Sequence, residues 1–389
     1  MHPQFDDTEI AFRYRNSFGL RKAKFLFSLM ASPLITKIGS AAADWAISWG
    51  LPVKGIIKNT IFKQFCGGET MEEAANTAAM LHQFNVDVIL DYGVEGKAEE
   101  AEYDKAVPEF IKAIKYAASQ QNIPFISVKI TGFGRFGLLE KIHTGQTLTK
   151  AEQEERQRIY RRINEICSAA AHNNIMVLID AEETWIQNPV NDLANAMMKA
   201  YNTQKAVVYN TFQLYTTLAL PYLKESLELA KTEGYVLGAK LVRGAYMEKE
   251  RKRAAENGYT SPIQPDKAST DRDYNEALLF CMENLDKLDV FIGTHNENSC
   301  MLAVKYMEAN KIPAASPNVY FSQLYGMSDN ISFNLANAGY HVAKYLPYGP
   351  VKDVIPYLIR RAQENTSVAG QTGRELSLIN KELKRRKKS

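Results

Sequence analysis

Tyr357, Arg360, Arg361 and Glu364 recur at i, i+3, i+4 and i+7 in one run behind Pro347-Tyr348-Gly349-Pro350. That spacing lines one face of a helix. Two adjacent guanidiniums beside a phenol suit a planar anion, because a guanidinium pairs bidentately with a carboxylate and the ring supplies an apolar wall. Surface arginines paired with Glu364 are the plainer alternative. A second set of polar residues lies within or just after short apolar runs: Asp91, Lys129, Asp180, Glu182, Glu183, Gln213, Arg243, Tyr246, Thr294, His295, Asn296, Glu297, Lys344 and Tyr345. Singly, an inward Lys or Asp can simply pair with a neighbour. Gathered at one end of one sheet, they mark a candidate site.

Gly132, Gly134 and Gly137 spell GxGxxG, the dinucleotide fingerprint. A lone match is weak, and the acids about 20 residues further on fall in a charged helical stretch at 151–156 instead of closing a strand. A tight turn after a strand is the better reading.

The elements that must position these residues follow from periodicity. Eight apolar, β-branched runs, Val86–Tyr92, Phe125–Thr131, Ile175–Ala181, Ala206–Gln213, Val236–Val242, Asp289–His295, Asn318–Leu324 and Val342–Tyr348, each precede an amphipathic segment. Such alternation predicts an α/β fold with a parallel sheet, and eight strands close a (β/α)8 TIM-like barrel whose active site lies at the C-terminal strand ends. Helical spacing over Tyr14–Met30, Leu34–Trp49, Val53–Gln64 and Met71–Phe84 predicts an N-terminal helical arm at 1–84, before a barrel at 85–375 and a basic tail at 376–389. The segment Thr147–Cys167 reads as an exposed helix or an extension between strands two and three.

With 389 residues, 46% apolar and 23% charged, the chain can bury a full core. A net charge of +3 requires no nucleic-acid partner. The basic residues Lys381, Lys384, Arg385, Arg386, Lys387 and Lys388 suggest a solvated, frayed end or contact with an anionic membrane surface. Four cysteines without CxxC spacing suggest neither a zinc site nor a disulfide framework, and no metal is expected. The apolar stretch Phe25–Ile35 starts late for a secretory signal. Pro33, Lys37 and Asp44 interrupt it and its continuation, which argues against a membrane span too.

The runs LVRGAYMEKE (Leu241–Glu250), THNENS (Thr294–Ser299), LYGM (Leu324–Met327) and PYLIRRAQEN (Pro356–Asn365), with VKITG, LIDAEE and YNTFQLY before them, resemble the proline dehydrogenase family. The resemblance spans about residues 86–370 and is of the single-function type. It implies a distorted (β/α)8 barrel holding noncovalent FAD, and oxidation of L-proline to Δ1-pyrroline-5-carboxylate by hydride transfer from C5 to flavin N5. Electrons would pass to a membrane quinone. The implied setting is cytoplasmic, peripheral to the inner face of the membrane, with transient contact to a pyrroline-5-carboxylate dehydrogenase.

By the same resemblance, Arg360 and Arg361 bind the proline carboxylate and Tyr357 packs on the ring. Tyr246, Leu324 and Tyr345 enclose it, Lys129 adds charge and Asp180 orients groups near the amine. The cofactor would be held by Gln213, Lys240, Val242, Arg243, Gly244, Ala245, Thr294, His295, Asn296 and Glu364. Lys240 departs from the arginine of bifunctional members, keeping the charge and losing the planar fork. The segment Pro265–Thr270 aligns poorly. Hydroxyproline oxidation is the near alternative. A Schiff-base aldolase using Lys129, Lys240 or Lys344, and a non-catalytic membrane-peripheral scaffold, are the distant ones.

Overall fold

The computed structural model describes residues 2–32, 54–93, 99–367 and 371–388, side chains at 54, 56, 362–367 and 371 excepted. The expected helix over Leu34–Trp49 lies outside the described residues. Eight parallel strands close a barrel in sequence order: β1 (Asp87–Tyr92), β2 (Phe125–Val128), β3 (Met176–Ile179), β4 (Val208–Gln213), β5 (Leu237–Val242), β6 (Leu288–Gly293), β7 (Val319–Leu324) and β8 (Val342–Tyr348).

Before β1 come α1 (Thr8–Phe12), α2 (Ser17–Met30) and α3 (Met71–His82). Between strands lie α4 (Glu100–Ala118), α5 (Phe136–His143), α6 (Lys150–His172), α7 (Gln187–Tyr201), α8 (Ala219–Glu233), α9 (Met247–Asn257), α10 (Lys267–Glu283), α11 (Glu297–Ala309) and α12 (Asp329–Asn337). Then α13 (Val351–Ser367) and α14 (Gln371–Arg385) follow β8. Side chains start these helices where the sequence offers N-caps: Thr70 accepts from the Glu73 N–H, and Thr149 with Glu152 forms a capping box at α6.

Three strands stop short of the C-terminal end of their apolar runs: β2 at Val128, β3 at Ile179 and β6 at Gly293. Ile130–Gly132 winds into a 3₁₀ turn with Lys129 at its start, so Lys129 follows β2 and does not lie within it. The β3 ladder ends at Ile179, one residue before Asp180. The GxGxxG glycines occupy this turn and the start of α5, as the turn reading holds. Helix α6 is not simply exposed: Ile159, Arg162, Ile163, Ile166 and Cys167 are buried along one face.

The chain divides into two compact units, Gly96–Ser322 and Met1–Glu95 with Gln323–Ser389. In the first, rings from strands that are not neighbours meet inside the barrel: Phe125 is 5.0 Å from Phe291 and 4.8 Å from Tyr320, with Tyr209 at 6.1 Å. Phe125, Tyr209 and Tyr320 come from the first two positions of their strands, which leaves the C-terminal ends to the polar residues. In the second, Phe12, Leu20, Phe27, Phe62 and Phe65 pack with Tyr357, Leu358, Leu378 and Ile379.

The basic end does not fray. It is helical through Arg385, because Leu378, Ile379 and Glu382 face the N-terminal arm. Glu382 is fully buried, accepting from Thr8 Oγ1 at 3.0 Å, Arg385 Nε at 2.9 Å and Arg386 Nε at 2.6 Å.

Candidate active site

In the unit Gly96–Ser322, charges converge where β2, β3 and β5 end. Lys240 on β5 reaches Asp180 Oδ1 at 2.5 Å, and Lys129 lies 3.7 Å from Asp180 Oδ2. Asp180 is 8% exposed, so two ammonium groups hold one buried carboxylate at a fixed place. Glu182, two residues on, accepts from the Thr131 N–H at 3.1 Å and from the Thr131 hydroxyl. Burial pushes its carboxyl up to about 7, against the pull of those two bonds. Gln213, closing β4, donates to the Glu182 carbonyl at 2.7 Å. The three turns after β2, β3 and β4 are thereby tied together.

A second group forms after β5 and β6. Arg243 donates from Nε to Asp271 Oδ1 at 2.8 Å, from Nη1 to Thr294 Oγ1 at 2.7 Å and from Nη2 to Ser299 Oγ at 3.1 Å. Its guanidinium carbon lies 4.3 Å from the Tyr274 ring centroid. Burial raises the Asp271 carboxyl, but Lys267 and Arg243 more than offset this and hold it below the usual carboxylate range. Thr294 Oγ1 also accepts from the Asn296 N–H at 3.1 Å, and Asn296 caps α11.

Gly244, between Arg243 and Ala245, is exposed at φ +138, and a Cβ there would lie 2.3 Å from the Tyr215 ring. Only glycine fits that turn. Val242 ends β5, Tyr246 precedes α9, and half-buried His295 stands between Thr294 and Asn296. A fixed guanidinium, a backbone exposed at a side-chain-free glycine and the positive end of a long helix suit an anionic nucleotide cofactor.

In the other unit, Leu324 ends β7, and the Tyr325 N–H donates to the Tyr345 carbonyl at 2.9 Å. Tyr345 is half-buried on β8, beside fully buried Lys344. On α13, Tyr357 and Arg361 are buried one turn apart, the guanidinium carbon 5.5 Å from the ring centroid, and Arg360 is half-buried. The side chain of Glu364 lies outside those described.

Sequence reasoning singled out Glu182 as a polar strand end without giving it a role, yet it holds the turn that carries Lys129. Asp271 and Tyr274, which with Ser299 fix Arg243, were missed altogether, and Ser299 was quoted only as the end of a motif. They sit on helices, where an ordinary amphipathic pattern gives no signal. Glu250, in the first turn of α9, was quoted only as part of a motif; fully buried, it accepts from the Thr184 N–H at 2.7 Å and seats the helix that follows Tyr246.

Known proteins resemble this chain in sequence and in fold. The chain is 32% identical over 379 residues to proline dehydrogenase 1, mitochondrial, of Dictyostelium discoideum, covering 86% of this chain and 66% of that protein. It is 30% identical over 418 residues to hydroxyproline dehydrogenase of Xenopus laevis, covering 96% of this chain and 88% of that one. Among solved structures, proline utilization A (PutA) from Bdellovibrio bacteriovorus, inactivated by N-propargylglycine, superposes with a TM-score of 0.73 at 20% identity. That match covers 92% of this chain and 38% of the PutA chain, and it shows the same fold. The family model described as proline dehydrogenase matches residues 74–374. The chain therefore belongs to the proline dehydrogenase family of oxidoreductases.

Proposed function

We propose that this protein oxidises L-proline to Δ1-pyrroline-5-carboxylate, using noncovalently bound FAD and a quinone as final acceptor. The observation that carries the reading is Arg361, buried on α13 against the Tyr357 ring: a carboxylate-binding group joined to an apolar wall, as a small cyclic amino acid requires. FAD, when bound, supplies the two-electron sink that side chains lack. Gln213, Lys240, Val242, Arg243, Gly244, Ala245, Thr294, His295, Asn296 and Glu364 are the residues to hold it.

Within this chain, Arg360 and Arg361 bind and orient the carboxylate. Tyr246, Leu324, Tyr345 and Tyr357 enclose the ring and exclude water. Asp180, held by Lys240 and Lys129, fixes polar groups near the substrate amine.

A quinone acceptor implies contact with a membrane surface, and α2 offers one. Phe18 and Phe25 are 75% and 62% exposed, with Leu29 beyond them and Arg21, Lys22 and Lys24 alongside. Among the described residues no helix is long and apolar enough to cross a membrane. The product's next oxidation, by a pyrroline-5-carboxylate dehydrogenase, needs only transient contact.

The test is steady-state turnover of L-proline with a soluble quinone, with the released cofactor and the trapped product identified by mass spectrometry. FAD and the pyrroline carboxylate are expected. A flavin-free protein, or one inert toward proline, overturns the reading. For the membrane part, sedimentation with anionic vesicles should fall with added salt and with Phe25→Ser. Equal sedimentation of both proteins would contradict it.

A further inference from the structure

We infer that the buried Tyr14–Asp329–Lys344 network is a positioning device, through which the N-terminal arm and α14 set the placement of Leu324 and Tyr345. The inference rests on the ring-enclosing roles proposed above for those two residues. Lys344 is fully buried on β8 and pairs with Asp329 Oδ1 at 3.0 Å. Its ammonium also donates to the carbonyls of Met327 and Leu324. An apolar side chain could fill this space without desolvating a charge. What the charge adds is geometry: one ammonium gathers three oxygens and closes the turn that follows Leu324.

That turn does not hold its shape unaided. Gly326 and Ser328 have φ of +78 and +50, a region L-residues disfavour. A Cβ on Gly326 would lie 1.9 Å from the Gln64 carbonyl oxygen. The constraints come from sequence-distant segments. Tyr14 donates to Asp329 Oδ2 at 2.6 Å, and Arg15 donates to the Tyr14 oxygen at 2.5 Å and to Gln64 Oε1 at 2.9 Å. Gln64 in turn donates to the Gly326 carbonyl at 2.7 Å, and the Ser328 N–H donates to Glu375 on α14. The far side of the turn is bonded to the substrate strand, Tyr325 N–H to Tyr345 carbonyl. Burial lowers the Lys344 pKa, while Asp329 first and Glu375 after it pull it back up, so the ammonium leans on the carboxylates of this network. Loosening the network therefore moves Leu324 and Tyr345 together.

Tyr14→Phe in the full-length holoenzyme is the discriminating variant. It keeps the ring, stacked 4.6 Å from Phe333, and removes only the hydroxyl that holds Asp329. The expected result is a KM for L-proline raised by about tenfold, because the hydroxyl's bonds with Asp329 and Arg15 are lost together, with kcat little changed. The preference for proline over trans-4-hydroxy-L-proline should narrow, and amide hydrogen exchange at Tyr325 should quicken. Lys344→Met should do the same more severely; if it fails to fold, Tyr14→Phe still decides. A folded Tyr14→Phe protein with unchanged KM, substrate ratio and Tyr325 exchange would show the network to be structural only. Failure of the unmodified enzyme to oxidise proline would instead sink the functional reading, while the exchange measurement would still test the network.

Discussion

Arg361 is buried on α13 with its guanidinium carbon 5.5 Å from the Tyr357 centroid, and Arg360 stands half-buried beside it. Removing one partner of a buried charge pair costs about 3 to 5 kcal/mol, about two to four decades in an equilibrium constant. Arg361→Met should therefore lower kcat/KM for proline by that order with flavin content intact, and a change below about threefold (~0.7 kcal/mol) would remove it from the site. Tyr345 bears on substrate choice. A phenol against the ring leaves a C4 hydroxyl without a sure partner, at about 1 to 3 kcal/mol, so proline should be preferred by about tenfold or more. Tyr345→Ser should narrow that gap in paired steady-state assays; an unchanged ratio would exclude Tyr345 as the selector. Glu182 gives a pH signature. Folded, its carboxyl keeps its proton up to about 7, whereas in the unfolded chain it ionises near 4.5. Its contribution to stability is thus fully present below 4.5 and is lost as pH rises through about 7. In thermal unfolding across that window, Glu182→Gln should lose less stability than the unmodified protein. A residual slope is expected from Glu375, which burial shifts in the same direction.

The turn joining β5 to α9 concentrates several of the residues proposed to hold FAD in one element. Gly244 there combines a positive φ with a close approach to the Tyr215 ring, so Gly244→Ala adds backbone strain of about 1 to 3 kcal/mol to a steric clash. The purified variant should carry less FAD than the unmodified protein and unfold at lower temperature; full flavin occupancy would show that the turn does not hold the cofactor. This scale was largely legible in the sequence. Apolar runs located all eight strands, because each must bury a β-branched face and each is followed by a helix. What the runs did not give was where β2 stops, since Ile130 and Thr131 are good strand formers and Thr131 is instead bonded to Glu182. Nor did composition show that the basic end is a packed helix. Its lysines and arginines masked the buried face formed by Leu378, Ile379 and Glu382.

Over the whole molecule, the candidate site residues come from the ends of many strands and from α13, and only three-dimensional closure gathers the charges of each unit. The pairing of Asp180 with both Lys129 and Lys240 could not be read from the chain, because the three residues lie on separate strand ends and any of them had other partners open to it. The family resemblance named many of the residues, while the geometry shows what holds several of them in place. On the proposed function, the chain is a flavin-dependent dehydrogenase of proline. The most direct test is to add L-proline without oxygen or quinone to the purified, flavin-loaded protein and follow the flavin's visible absorption. The account predicts that the band bleaches with L-proline and returns on adding a quinone. A band unaltered by saturating L-proline in a folded, fully loaded protein would contradict it.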